Sequence, residues 1–320
     1  MMPVTRRRML TILAGAGSCA AIGPAAASAL PPRFLEWRGT ALGADARLVF
    51  YDAERARARR ALTASLAEIE RLEAIFSLYR EDSELSRLNA TGQLANPSPE
   101  MRHLIGLGRE IGRLSEGAFD ITVQPLWRAI ADYFAADPDG PGPTPDALGN
   151  TVRLVDYRRI ETGPDGIKLR PGMAITLNGI AQGFITEQVT DLLRRQGWRH
   201  ILNDLGETRA LEGRAWPVHL ERRPGRVMLR SQAIATSSGA GTTCKPGGGW
   251  HHLIDPASGR SARHYRSVSV IAPRAALADA LSTALFVAEP ALAERVVRRF
   301  PMARAIIERH GGGFIEAGTG

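Results

Sequence analysis

The sequence has little cysteine: Cys19 and Cys244 are the two it carries. Cys19 falls within an N-terminal leader, so once that leader is removed Cys244 has no internal partner and a disulfide framework is excluded. Stability must then come from a packed core. Also lacking is an apolar run of bilayer-spanning length, because the leader's apolar part is short and rich in Gly and Ala. Aromatics are 6% of residues and no basic run is interleaved with them, which argues against nucleic-acid binding. Neither H-E-x-x-H nor G-x-S-x-G occurs, so that type of metalloprotease and the α/β-hydrolases are not indicated. No internal repeat is present.

What is present suits a soluble enzyme. In 320 residues, 44% are hydrophobic and 23% charged, enough for one large core or two modest ones. The formal charge of +8 falls to about +5 when Arg6, Arg7 and Arg8 are set aside with the leader. That leader, "TRRRMLTILAGAGSCAAIGPAAASAL", runs from a basic start through a short apolar stretch to Ala27-Ser28-Ala29. Arg6-Arg7 followed by Met9-Leu10 resembles a twin-arginine export signal over residues 1–29, with an ordinary secretory signal as the alternative. Both place the protein in the periplasm. Lipid attachment at Cys19 is a third possibility, for which Ala16-Gly17-Ser18 is a poor match.

Periodicity predicts the elements. "RGTALGADARLVFY" alternates as a strand, and Leu62, Leu66, Ile69, Leu72 and Phe76 fall at helical spacing. Ser98, Pro99 and Gly117 bracket a second helix as cap, first turn and stop. Residues 137–149, rich in Pro and Gly, form a linker or surface excursion. Beyond them come short strands, a helix through "ITEQVTDLLRRQG", more strands, two helices after Pro273 and a closing hairpin. Strands in runs with helices grouped between them predict an α+β fold of mixed or antiparallel sheets with packed helices.

Three stretches carry candidate chemistry. In "ALADALSTALF", Asp279 and Thr283 are four apart and share a face. Either that face is solvated, or Asp279 is buried in a helix apolar nearly all round and needs a partner such as a hard cation. "LNGIAQGFITEQ" runs through Gly179 and Gly183 into a helix, a shape that serves phosphate binding or plain turn geometry. In "GGGWHHLIDPASGR", adjacent His251 and His252 face opposite ways on a strand, so one at most enters a site.

In order along the chain, these motifs resemble the ApbE family of FAD:protein FMN transferases. "ALGADARL", "FSLYREDSELSRLN", "SEGAFDITVQPLW", "LNGIAQGFITEQVTDLL", "ATSSG", "HHLIDPASGR" and "ADALSTAL" each match a family segment, from about Ala41 to Phe286. The resemblance implies an ApbE-like fold of two intimately joined subdomains, forming a single catalytic domain over residues 30–320. It implies transfer of FMN from FAD to a Thr or Ser hydroxyl of a partner flavoprotein, with Mg²⁺ as cofactor and AMP released. Carried over, His252 becomes the general base, and Asp279, Thr283 and the Ala181 carbonyl become the metal ligands. Leu42, Tyr79, Ala118, Phe119, Asp120, Asn178, Phe184 and Ile254 fall where the family holds FAD.

Several positions depart from the family pattern: Gln182 for Lys, Asn178 for Gly, Phe184 for Tyr, Glu187 for Asp, and Ser282 where some relatives carry a carboxylate. The alternatives are an Mg²⁺-dependent FAD pyrophosphatase and an exported flavin-binding protein without turnover. The expected acceptor is an exported or membrane-anchored electron-transfer protein, for instance of a respiratory system such as nitrous oxide reduction.

Overall fold

The computed structural model describes residues 34–41, 44–51, 53–245 and 249–318. The leader, Cys19 and Leu42 lie outside the described residues. The fold is α+β, as the sequence pattern predicts.

Eight strands form one antiparallel sheet: β1 (Phe34–Ala41), β2 (Ala44–Tyr51), β3 (Ile201–Asp204), β4 (Thr208–Ala210), β5 (Ala233–Ser238), β6 (Ser267–Ala272), β7 (Arg304–Glu308) and β8 (Phe314–Gly318). Their order across the sheet is their order along the chain. The predicted first strand is thus a hairpin, with Phe34 opposite Tyr51 and Ala41 opposite Ala44. The predicted closing hairpin is β7–β8.

The helices enter as two insertions. Between β2 and β3 lie α1 (Arg55–Phe76), α2 (Glu84–Thr91), α3 (Pro99–Leu114), α4 (Gln124–Ala136), α5 (Pro145–Val152) and α6 (Ala181–Arg195). Between β6 and β7 lie α7 (Ala275–Val287) and α8 (Pro290–Arg298). Alternation along the strands sorts two faces. Leu48, Phe50, Val268 and Val270 face the main helical core, whereas Val49 and Ile271 face a smaller cluster under the hairpin Trp216–Val218/Val227–Leu229. Each such side chain fully buried contributes about 1.5–3 kcal/mol.

Local signals act as read. Ser98 Oγ accepts from the Met101 amide at 3.1 Å, with Pro99 in the first turn of α3. α1 buries Leu62, Ile69, Leu72 and Phe76. Residues 137–149 are less of a linker than their composition suggests, since α5 begins within them. The rest is pinned: Trp250 Nε1 donates to the Pro141 carbonyl at 3.1 Å and Lys245 Nζ to that of Asp139 at 2.7 Å. Trp250 there completes a satellite core with Leu126, Ile130, Phe134, Leu148 and Ile254.

Candidate active site

α7 is buried on almost every side, and Asp279 with it. One of its oxygens is held: Oδ2 accepts from the Gly183 amide at 2.9 Å. That amide is a first-turn donor of α6 that the helix cannot itself satisfy. Glycine is required at 183, because a Cβ there would lie 2.4 Å from the Ala275 carbonyl oxygen and 2.7 Å from Asp279 Cβ. α6 and α7 therefore cross in near-backbone contact at the acid. Glu187, a departure from the family pattern, secures the same crossing through Arg274 at 2.5 Å.

Beside Asp279 a chain of hydroxyls has a fixed polarity. Ser282 Oγ donates to the Asp279 carbonyl at 2.9 Å, Ser237 Oγ lies 2.8 Å from Ser282 Oγ, and Thr283 Oγ1 lies 3.2 Å from Ser237 Oγ. A hydroxyl proton donates once, so Ser237 donates to Ser282 and Thr283 to Ser237. Both lone pairs of Thr283 Oγ1 then remain available to a cation, while Ser282 is committed to the scaffold. Ala181 opens α6 and is buried one residue before Gln182, which lines the cleft.

These groups stand in a cleft of about 450 Å³ whose walls include Tyr79, Phe119, Asp120, Trp127, Asn178 and Ile254. Tyr79 is 66% exposed, an aromatic face open to a planar ligand. Ala118 and Phe119 bring the Gly-Ala-Phe-Asp turn to the wall, and Asn178 is exposed there. Asp120 is more a brace than a free ligand. Its oxygens accept from the Thr122 amide at 2.8 Å, Thr122 Oγ1 at 2.6 Å and the Tyr157 amide at 3.0 Å. Burial still holds its carboxyl above the usual range.

Phe184 is not brought to the cleft. It packs edge-on against Phe76 at 5.6 Å and near His103 at 5.7 Å, inside the main core. The reason is angular: two residues along a helix turn it by about 200°, so Phe184 faces away from cleft-lining Gln182.

The two histidines divide as the strand geometry predicts. His251 is buried and fully used: its Nε2 donates to the Ala262 carbonyl at 2.9 Å and its Nδ1 accepts from the Leu253 amide at 3.3 Å. His252 lines the cleft, with Nδ1 3.1 Å from the Thr242 carbonyl. A carbonyl only accepts, so Nδ1 carries the proton and Nε2 of the neutral ring is the acceptor. Desolvation lowers the His252 pKa, which keeps the ring neutral at physiological pH. Asp255 shapes the following turn by accepting from the Ala257 amide at 3.0 Å and Ser258 Oγ at 2.6 Å.

Several cleft residues escaped the sequence reading, among them Trp127, Arg128, Ser237 and, most consequentially, Glu207. Glu207, in the β3–β4 turn, is buried in the cleft wall. Burial first, then repulsion from Asp279 and Asp204, pushes its carboxyl well above the usual range. Asp279 is itself pushed up to about 7 by burial, against the opposing Gly183 hydrogen bond. The only sequence signal was two acids around a Leu-Gly turn in "NDLGET", which a solvated turn would show equally. Arg128 on α4 is the guanidinium at the cleft wall, so among the described residues the cleft sets three carboxyl groups against one permanent cation. Among the described residues, no group of three or more His, Cys, Asp or Glu could hold a metal ion. A cation here would rest on mixed oxygens: Asp279, Thr283 and backbone.

Fold and cleft together define an α+β protein built around one acid-lined ligand site with a neutral imidazole in its wall. The family model described as the ApbE family matches residues 42–307, and the chain belongs to that family. It is 27% identical over 275 residues to the FAD:protein FMN transferase of Haemophilus influenzae, covering 78% of each chain. To the Salmonella typhimurium protein of the same name it is 28% identical over 303 residues, covering 87% of this chain and 83% of the relative. Among solved structures, the Thermotoga maritima ApbE protein superposes with a TM-score of 0.78 at 25% identity, covering 89% and 97% of the two chains. The apo flavinyl transferase ApbE of Pseudomonas stutzeri gives 0.75 at 24% identity, covering 91% and 97%.

Proposed function

We propose that the chain is an FAD:protein FMN transferase, dependent on Mg²⁺, that joins FMN to a Thr or Ser hydroxyl of an exported flavoprotein. The observation that carries this reading is a charge conflict. A cleft that receives a diphosphate presents Asp120, Glu207 and Asp279 against Arg128 alone, with Gln182 where the family has lysine. Burial pushes the Asp279 carboxyl up to about 7, and burial with repulsion from Asp279 and Asp204 pushes that of Glu207 well above the usual range, a strain that a bound cation would relieve. Asp279 Oδ1, Thr283 Oγ1 and the Ala181 carbonyl are the oxygens we assign to it.

When bound, Mg²⁺ supplies positive charge against the diphosphate. Tyr79 stacks on the isoalloxazine, while Phe119 and Ile254 exclude water from it. His252 Nε2 takes the proton of the incoming hydroxyl. The hydroxyl oxygen bonds to the phosphorus on the FMN side, the bridging P–O bond breaks, and AMP leaves with that oxygen. Positioning and charge supply most of the acceleration, as in phosphoryl transfer generally. The twin-arginine-like leader supports a periplasmic meeting of enzyme and acceptor, and an electron-transfer protein of a respiratory system fits that setting.

The test is mass spectrometry of an exported flavoprotein domain incubated with the chain, FAD and Mg²⁺. An FMN-sized mass gain, absent with His252→Ala, supports the transferase. AMP and free FMN beside an unmodified acceptor that a related transferase does flavinylate would replace it with the pyrophosphatase reading.

A further inference from the structure

The end of the sheet opposite the cleft carries a second charged surface. The cleft end is marked by Glu207 in the β3–β4 turn and Ser237 and Ser238 closing β5. At the other end, β2 finishes at Tyr51, β3 begins at Ile201 and β4 finishes at Ala210. α6 runs between the two ends over 15 residues, a rise of about 22 Å.

Three elements bring arginines together there: the first turns of α1 with Arg55, Arg59 and Arg60, the α6 terminus with Arg195, and the loops with Arg199 and Arg214. Arg57 stitches α1 to α6, donating to the Gln196 carbonyl at 3.1 Å and lying 4.3 Å from the Trp198 ring centroid. Arg214 lies 4.3 Å from that of Tyr51. Among the described residues none of these arginines forms an ion pair. Elsewhere the chain pairs its exposed arginines readily, as Arg71 with Glu68 and Glu100, Arg113 with Glu110, and Arg298 with Glu294. Among the described residues, Glu54 and Glu212 are the exposed acids beside the patch, two against six arginines.

Helix stability does not explain the cluster. The first turn of α1 has no acid, and cations at a helix start oppose its dipole. Arg195, at the end of α6, is the one whose charge the dipole favours. The chain also enters the fold at this end, since Phe34 opens β1 opposite Tyr51.

We infer that this arginine face docks on an anionic membrane surface, leaving the cleft at the far end open to the acceptor. The chemistry is that of phospholipid headgroups meeting a cluster of guanidiniums on a rigid end face.

The test is co-sedimentation of the full chain with vesicles of phosphatidylglycerol and phosphatidylcholine, and with phosphatidylcholine alone. The full-length variant Arg55→Glu/Arg59→Glu/Arg60→Glu/Arg199→Glu runs beside it, with the same four positions changed to Gln as a milder set. Expected is binding to the anionic vesicles that weakens with salt and drops at least about tenfold in both variants, at unchanged activity on a soluble acceptor. Equal binding by wild type and variants would show that the arginine face is not what holds the vesicle and overturn the inference. Retention on polyglutamate without vesicle binding would overturn it in favour of an acidic protein partner.

Discussion

Replacing Asp279 with Asn should make the metal-free protein more stable, and the size of the gain follows from the burial of the acid. The amide keeps the shape and leaves an oxygen to accept from Gly183, as Oδ2 does at 2.9 Å. It removes the charge. Asp279 titrates at about 7 in the fold and at about 3.9 in the unfolded chain. Below about pH 4 both states hold the proton and the site costs nothing. Between about pH 4 and 7 the unfolded chain ionises while the fold keeps its proton, so stability falls as pH rises. Above about 7 the loss is complete, at roughly 4 kcal/mol. Asn escapes this cost, and Glu207 also loses a negative neighbour. Thermal unfolding in EDTA should therefore show the variant melting roughly 5–15 °C above wild type at pH 8, with the gap closing toward pH 4. Mg²⁺ at a hundred times its Kd should add about 2.7 kcal/mol to wild type and nothing to the variant. Equal melting of both proteins at pH 8, or a retained Mg²⁺ response in the variant, would refute the assignment of Asp279 as a buried carboxylate awaiting a cation.

His252→Ala should lower the transfer rate by about 10²–10⁴, with FAD affinity unchanged in equilibrium titration. Because the imidazole titrates below its ordinary value, the wild-type rate should fall only on the acid side of the pH profile, and that limb should vanish in the variant. Tyr79→Ala should weaken FAD binding by about 5- to 100-fold, the worth of one stacking face, with quenching of flavin fluorescence as the readout. Gln182→Lys should place a cation beside Glu207 and tighten FAD binding in the absence of Mg²⁺, measured by titration in EDTA.

The parts of the fold that were legible are those governed by neighbours in sequence. Ser98 and Pro99 start α3 because a hydroxyl cap and a fixed φ need no distant contact. β7 and β8 form a hairpin across a few glycines for the same reason. The pairing of β2 with β3 was not legible, since it joins residues near Tyr51 to residues near Ile201 across the whole helical insertion. That long-range pairing is also what builds the site. It carries the β3–β4 turn under α6 and α7, so that Glu207 meets Asp279 although 71 positions separate them in the chain.

Asp279 could be suspected from sequence because α7 is apolar all round, and an acid on such a helix is buried whatever it faces. Glu207 could not, because the strands on either side of its turn are short and a turn acid is ordinarily solvated. The misplacement of Phe184 has the opposite origin. The family resemblance fixed its place in the chain, but the helical rotation from Gln182 decides which way a ring points, and it points into the core. Motifs therefore located the cleft, while the charge balance inside it depended on contacts that only the closed sheet supplies. Under the proposed function, that balance, three acids against Arg128 among the described residues, is what a bound cation would answer at this site. With Lys absent from position 182, a bound cation would have to offset both the diphosphate and the protein's own carboxylates. The Mg²⁺ dependence of FAD binding should accordingly be steeper here than in relatives that keep the lysine.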